Sequence, residues 1–438
     1  MKKYDEYKDS GVAWIGEVPK HWKVSRIKFL ISHSSAGVWG EDEKNDENDI
    51  VCFRAADFDY IHGCLRLDKM IIRNIQPEQL RGRRLHHGDL LIEKSGGGDS
   101  APVGRIVRYN YNDKATCSNF VHFIRVNKFN DGNYLFYYFY AMYANNVNIL
   151  FFNQTTGIQN LKIGEYIGQM IYTPILNEQT AIATYLDTHC AKIDNLISIQ
   201  QKRIALLQEL KQSVITHAVT KGLNPNVEMK QSGVEWIGDV PKHWEVMPLK
   251  FTGTFGNGLT YSPKDVVDNG ILVLRSSNIQ NSSLSFEDNV YVSKVSRDLL
   301  VNKGDIIICS RNGSAALVGK SAFVDKELNA TFGAFMMRYI PNIEKKYGFY
   351  LFQTAIGQYK GYFSTTTINQ LTKTTIDEIK VPLAMAEEQA AIASYLDHKC
   401  ATIDTSISNA QHQIDLLQEY KQSLITEVVT GKRKVTDN

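Results

Sequence analysis

The sequence predicts an α+β protein built as a pseudo-two-fold internal repeat, two tandem α/β domains each followed by a long helix. Three observations carry that prediction. The chain has 438 residues, too many for one ordinary domain and enough for two of about 150 residues with connecting elements. Residues 9–30 (DSGVAWIGEVPKHWKVSRIKFL) return as residues 231–252 (QSGVEWIGDVPKHWEVMPLKFT), identical at 14 of 22 positions. A second block, EQTAIATYLDTHCAKIDNLI (178–197), returns as EQAAIASYLDHKCATIDTSI (388–407), and LLQELKQSVIT (206–216) returns as LLQEYKQSLIT (416–426). A period of about 220 residues is far too long for a solenoid, so the order A-B-A-B marks a duplicated unit. The boundaries follow: domains at 1–175 and 223–385, helical regions at 176–222 and 386–431, and a tail at 432–438.

The A block, W-I-G-x-V-P-K-H-W (Trp14 to Trp22, Trp236 to Trp244), packs two large aromatics, a glycine and a proline into a compact turn, a composition that anchors a domain edge. Beyond it, apolar runs that end in Gly, Asn and Asp, such as LLIEKSGGG and IIICSRNGS, predict strands ending in turns. Tyr134 to Ala144 is the longest apolar stretch. It is about half of a membrane span and predicts a buried aromatic helix. Landmarks persist between the halves: Arg54 matches Arg275, GDLLI (88–92) matches GDIII (304–308), and TTGIQNL (155–161) matches TTTINQL (365–371), each of the last pair a polar loop leading to Pro174 or Pro382. In the B blocks, Ile193, Ile197, Gln200, Ile204, Leu207, Lys211, Val214 and Ala218 follow the four-three spacing of a coiled-coil seam. Ile403, Ile407, Ala410, Ile414, Leu417, Lys421, Leu424 and Val428 repeat it. Each run of about 26 residues spans roughly 39 Å and needs a long partner, either its own domain or the other helix, and equal length and matched seams favour the other helix. Gly222 and Gly431 are stop signals.

Composition is that of a soluble globular protein, 43% hydrophobic and 22% charged, with 49 basic against 47 acidic residues, so any basic surface must be local. The six cysteines form no C-x-x-C pair, which argues against zinc and disulfide scaffolds and fits a reducing cytoplasm. The N-terminus has acidic residues where a signal peptide needs an apolar run. GSAALVGKS (313–321) resembles a phosphate-binding loop, but five residues separate Gly313 from Gly319-Lys320 where that motif has four. Gly96-Gly97-Gly98 lacks the strand–helix context of a dinucleotide fingerprint. No proline is followed by another, so the N/D-P-P-Y/F signature of an amino-methyltransferase is missing, and His86-His87 and His189-Cys190 have no partners at metal-ligand spacing. No catalytic or metal residue is assigned.

Polar clusters carry the remaining signal. Lys94, Ser95, Arg105, Arg108, Gln154, Thr155, Thr156, Gln159 and Asn160 in the first half, with Arg54, supply donors and acceptors of the kind that grip phosphates and read base edges. Ser310, Arg311, Asn312, Lys320, Thr365, Thr366, Asn369 and Gln370, with Arg275, occupy the corresponding places in the second. Two other classes fit parts of the pattern: a protein-pairing scaffold, which would lack a basic face, and a standalone methyltransferase, which would act without partners.

Taken together, the A-B-A-B order, the W-I-G-x-V-P-x-x-W entry, the TTGIQNL loop and the EQxxIAxYLD…ID…LLQExKQSxIT…VT helices resemble the specificity subunit of type I restriction-modification systems over nearly the whole chain. That resemblance implies two target recognition domains, each reading one half of a bipartite double-stranded DNA site, held apart by an antiparallel coiled coil. It implies no cofactor in this chain. Two modification subunits would bind S-adenosylmethionine and methylate adenine, and two motor-nuclease restriction subunits would use ATP and Mg. TTTINQL departs from TTGIQNL at Thr367 for Gly157 and in the order of Asn and Gln.

Overall fold

The structure, a computed structural model, describes residues 2–155, 157–359 and 369–435. It divides into two compact units, residues 1–202 with 411–438, and residues 203–410. The units therefore cut across the sequence blocks, because each globular domain takes its own stretch of both long helices.

In the first unit, strands Ile106–Arg108, Leu90–Glu93, Val121–Val126 and Ile31–Ala36 form an antiparallel sheet in that order. Leu90–Glu93 is buried along its whole length, as a central strand covered on both faces should be. A second sheet sets Ala115–Cys117 parallel to Asp49–Phe53, and Phe53, Leu91, Val107, Cys117 and Phe123 form the core between them. The predicted aromatic helix is Gly132–Ala144, opened by Asp131, whose carboxylate accepts the amide of Tyr134.

The second unit repeats the plan. Gly253–Asn257, Met336–Pro341, Ile306–Cys309 and Ser321–Phe323 make the antiparallel sheet, Ala330–Phe332 runs parallel to Ile271–Leu274, and Lys345–Tyr359 is the helix. The GSAALVGKS segment forms a short 3-10 turn at Ala315–Leu317. Its Gly319 has a positive φ and lies where a Cβ would strike Ile356, which is a packing role.

The long helices run from Leu176 to Lys221 (46 residues) and from Ala386 to Val429 (44 residues), and the seam of about 26 residues occupies only part of each. The turns outside the seam are core elements: in the second unit Ile392, Ala393, Leu396 and Cys400 pack with Phe349 and Phe352. Every predicted seam position is buried or half-buried. Within the first unit the two helical stretches are antiparallel. Trp22, fully buried, donates its indole N–H to Glu178 at the start of one helix (3.2 Å), and it also packs beside Gly431 just past the end of the other. Within the second unit Trp244 makes the same bridge, to Glu388 (2.8 Å) and beside Gly222. Both glycines have φ near +77°, and a Cβ on Gly431 would collide with Pro19, so the helix ends demand glycine. The W-I-G-x-V-P-K-H-W element is thus the clasp at a helix junction. In the second unit it meets the helix that precedes it; in the first it meets the end of the last helix, where Tyr7 donates to the Gly431 carbonyl and Lys434 N to the Lys2 carbonyl.

Candidate nucleic-acid interface

In each unit the central strand continues, after one residue, into a short second strand. In the first unit this is Ser95–Gly96, paired with Ile158–Leu161, which itself pairs with Phe152–Thr155. The TTGIQNL segment is therefore more than a polar loop: Thr155 ends the first strand of a β-hairpin, Ile158–Leu161 is the second, and Gly157 before it has φ +82°. The polar side chains conceal the pairing because one face of the hairpin is solvated. In the second unit Arg311–Asn312 pairs with Asn369–Gln370.

The two platforms match bond for bond. The amides of Lys94 and Ser95 donate to the Phe120 carbonyl, and those of Ser310 and Arg311 to the Phe335 carbonyl. Leu161 N donates to Lys94 O and Leu371 N to Ser310 O, both at 2.8 Å. The side chains differ. Ser95 donates its hydroxyl to Asn160 Oδ1 (2.7 Å), whereas Arg311 donates Nη2 to Gln370 Oε1 (2.7 Å). An open cavity of about 340 Å³ adjoins the second platform, lined among others by Asn257, Thr260, Arg311, Phe335 and Gln370.

The remaining candidates separate into exposed and structural ones. Gln154 and Asn160 are exposed, Lys94, Lys320 and Asn312 half-buried, and Asn312 donates weakly to Ser276 Oγ (3.4 Å). Gln159 is buried and accepts the amide of Val103, fastening the glycine-rich loop. Ser310 donates to the Phe335 carbonyl. Arg105 grips buried Glu93 through Nε and Nη2 (2.8 and 3.2 Å) and stacks 3.7 Å over the Tyr60 ring. Arg54 closes a 3-10 turn through Asp57, and Arg275 occupies the same cap and pairs with Asp288. Arg108 is not brought to the platform: it pairs with Asp187 on the long helix (2.6 Å) over the Phe136 ring. Thr156, Thr365 and Thr366 lie outside the described residues, and only the backbone of Thr155 and Asn369 is described.

Three platform residues escaped the sequence reading. Phe120 and Phe335, 49% and 60% exposed, stand at the third position of equivalent turns closed by Val121 N to Ser118 O and Met336 N to Gly333 O. Asn153 lies opposite Asn160 in the hairpin, and both are exposed. The signal was the aligned aromatic in TCSNFV and TFGAFM, visible only once the turns are superposed. Electrostatically, His122 beside this platform is kept neutral: burial first, then the charge of Lys94, and then His33 lower its pKa to about 4. The arrangement offers neutral and cationic hydrogen-bonding groups around exposed aromatics. Among the described residues no group of His, Cys, Asp and Glu could hold a metal ion, and no helix is long and apolar enough to cross a membrane.

Doubled β platforms in units that also hold long antiparallel helical stretches define a class of duplicated α+β proteins with one polar platform in each unit. Residues 19–209 and 241–414 each match the model of the type I restriction modification DNA specificity domain, and the chain belongs to that family. It is similar to the EcoKI specificity subunit of Escherichia coli K12 (28% identity, 44% of each chain) and to the MjaVIII specificity subunit of Methanocaldococcus jannaschii (26% identity, 73% of this chain and 74% of the relative). The match spans less than half the length of the first of these relatives. The putative MjaX specificity subunit from the same archaeon aligns over 96% of both chains at 23% identity. In fold it resembles a chain from a structure titled for complex assembly and conformational transition of the type I R-M system (TM-score 0.71, 16% identity, 94% of this chain and 98% of that one). The HsdS subunit of Thermoanaerobacter tengcongensis is a second fold neighbour (TM-score 0.50, 15% identity, 95% and 98%).

Proposed function

We propose that this chain is the non-catalytic specificity subunit of a cytoplasmic type I restriction-modification complex, with each domain reading one half of a bipartite DNA site. The observation that carries this reading is the pair of platforms with one backbone frame and different side chains: a duplicated scaffold that displays Ser95–Asn160 in one copy and Arg311–Gln370 in the other is suited to reading two different base sequences. Hydrogen-bonding side chains beside exposed aromatics are the chemistry of base contact, and Lys94 and Lys320 add the charge that phosphates attract. Methyl transfer to adenine would come from two modification subunits carrying S-adenosylmethionine, and translocation and cleavage from two restriction subunits using ATP and Mg. The test is methyl incorporation into duplex DNA by the full-length chain with and without modification subunits. Incorporation is expected only with them, at adenines within one bipartite motif. Incorporation by the purified chain alone would overturn the reading.

A further inference from the structure

Arginine is the residue best matched to guanine, because its planar fork donates to O6 and N7 together, whereas adenine places an N6 donor against it. Whether a given arginine is available for this depends on what already holds its charge. Arg54, Arg105, Arg108 and Arg275 each pair with a carboxylate, of Asp57, Glu93, Asp187 and Asp288. Arg311 differs: among the described residues it pairs with no carboxylate, and its one side-chain hydrogen bond runs from Nη2 to the neutral amide oxygen of Gln370. A neutral acceptor orients the guanidinium without cancelling its charge. Nε and Nη1 make no bond among the described residues, the Phe335 ring lies 5.7 Å away, and the group lines the open cavity at the platform.

We propose that Arg311, oriented by Gln370, reads a guanine in the half-site of the second domain, and that the first domain, with Ser95 and Asn160 in the same register, makes no such demand. This rests on the reading of the chain as a DNA specificity subunit. Gln370 is a positioning residue, and Phe335 lines the same cavity. The backbone that carries both side chains is held in place, since residues 310 and 311 both donate to the Phe335 carbonyl and Leu371 N donates to Ser310 O, so the ordering that opposes binding is confined to the side chains.

The test is selection from a randomised duplex pool by the full-length chain with its modification subunits, for the unaltered protein and for Arg311→Ala, Arg311→Lys and Gln370→Ala. The unaltered protein should enrich a bipartite motif with an obligatory G in one half-site. Arg311→Ala should lose selection at that position alone, with the other half-site intact as an internal control of folding. Arg311→Lys, which keeps charge but loses the fork, and Gln370→Ala should retain a weakened preference. Replacing that G by 7-deazaguanine, which removes the N7 acceptor, should weaken binding of the unaltered protein about tenfold and leave Arg311→Ala unaffected. A motif unchanged in Arg311→Ala would overturn the assignment while leaving the DNA-reading function standing; no motif enriched by the unaltered protein would overturn both. If Arg311→Ala loses both half-sites together, Arg311→Lys decides: unchanged selection at the G sinks the proposal, and relaxation confined to it upholds it.

Discussion

At the scale of single residues, charge is spent in two ways, and only one leaves a group free for a ligand. Arg105 holds the carboxylate of Glu93, which is buried, and stacks on Tyr60, so removing it strands a buried charge. Arg105→Ala should cost the first unit about 3 kcal/mol, measured by urea denaturation, and the double variant Arg105→Gln, Glu93→Gln should recover most of that. Its effect on DNA should be a loss common to all sequences; a change of preference at one base pair would instead make Arg105 a reading residue. His122 gives the pH counterpart. Its pKa is about 4 in the folded chain against 6.5 for an unperturbed histidine, so the unfolded state binds the extra proton between these values. Stability from the neutral ring is fully present above pH 6.5 and drains away as pH falls towards 4. Denaturation midpoints across that window should slope for the native protein and flatten for His122→Asn. Equal slopes would show that His122 titrates normally.

At the scale of elements, the two lysines in the helical seam occupy equivalent positions and different surroundings. Lys421 is buried, pairs with Asp194 at 2.6 Å and also donates to the Ile61 carbonyl in the domain above it. Lys211 pairs with Asp404 at 2.7 Å, where the carboxylate is 54% exposed. A buried pair broken on one side leaves an uncompensated charge, whereas an exposed pair gives back little. Lys421→Ala should therefore destabilise by about 3 to 5 kcal/mol and Lys211→Ala by about 1 kcal/mol or less. Denaturation of the two variants side by side checks this, and equal losses would mean that burial does not set the difference. The seam spacing made both lysines legible in the sequence as core positions, but their partners were not, since Asp194 and Asp404 come from the opposite helix.

For the whole molecule, the proposed function treats the helices as a ruler. Seven residues inserted after Gln200 and seven after Ala410 preserve the heptad phase in both and add about 10.5 Å at 1.5 Å per residue, roughly three base pairs of duplex. The spacer of the recognised site should grow by that amount while both half-sites keep their sequences. Affinity should fall, because three base pairs also rotate one half-site by close to a third of a turn, which the DNA must absorb by twisting. Mapping methylated adenines in cells that carry the variant and its modification partners reads both features, and an unchanged spacer with retained activity would remove the helices from the role.

The duplication, the helical seams and the glycine stops were determined by the sequence alone, because each depends on local spacing or on self-similarity. Trp22 and Trp244 were legible as anchors for the same reason. What each anchor grips was decided by the tertiary structure: Glu178 and Gly431 for one, Glu388 and Gly222 for the other, partners up to about 400 residues away along the chain. The same holds for the candidate site. Residue types marked Arg54, Arg105, Arg108, Arg275 and Arg311 alike, and only folding separated the four that are neutralised by carboxylates from the one held by Gln370. Charge is a property of composition, but its compensation depends on distance, and distance between remote residues exists only once the chain has folded.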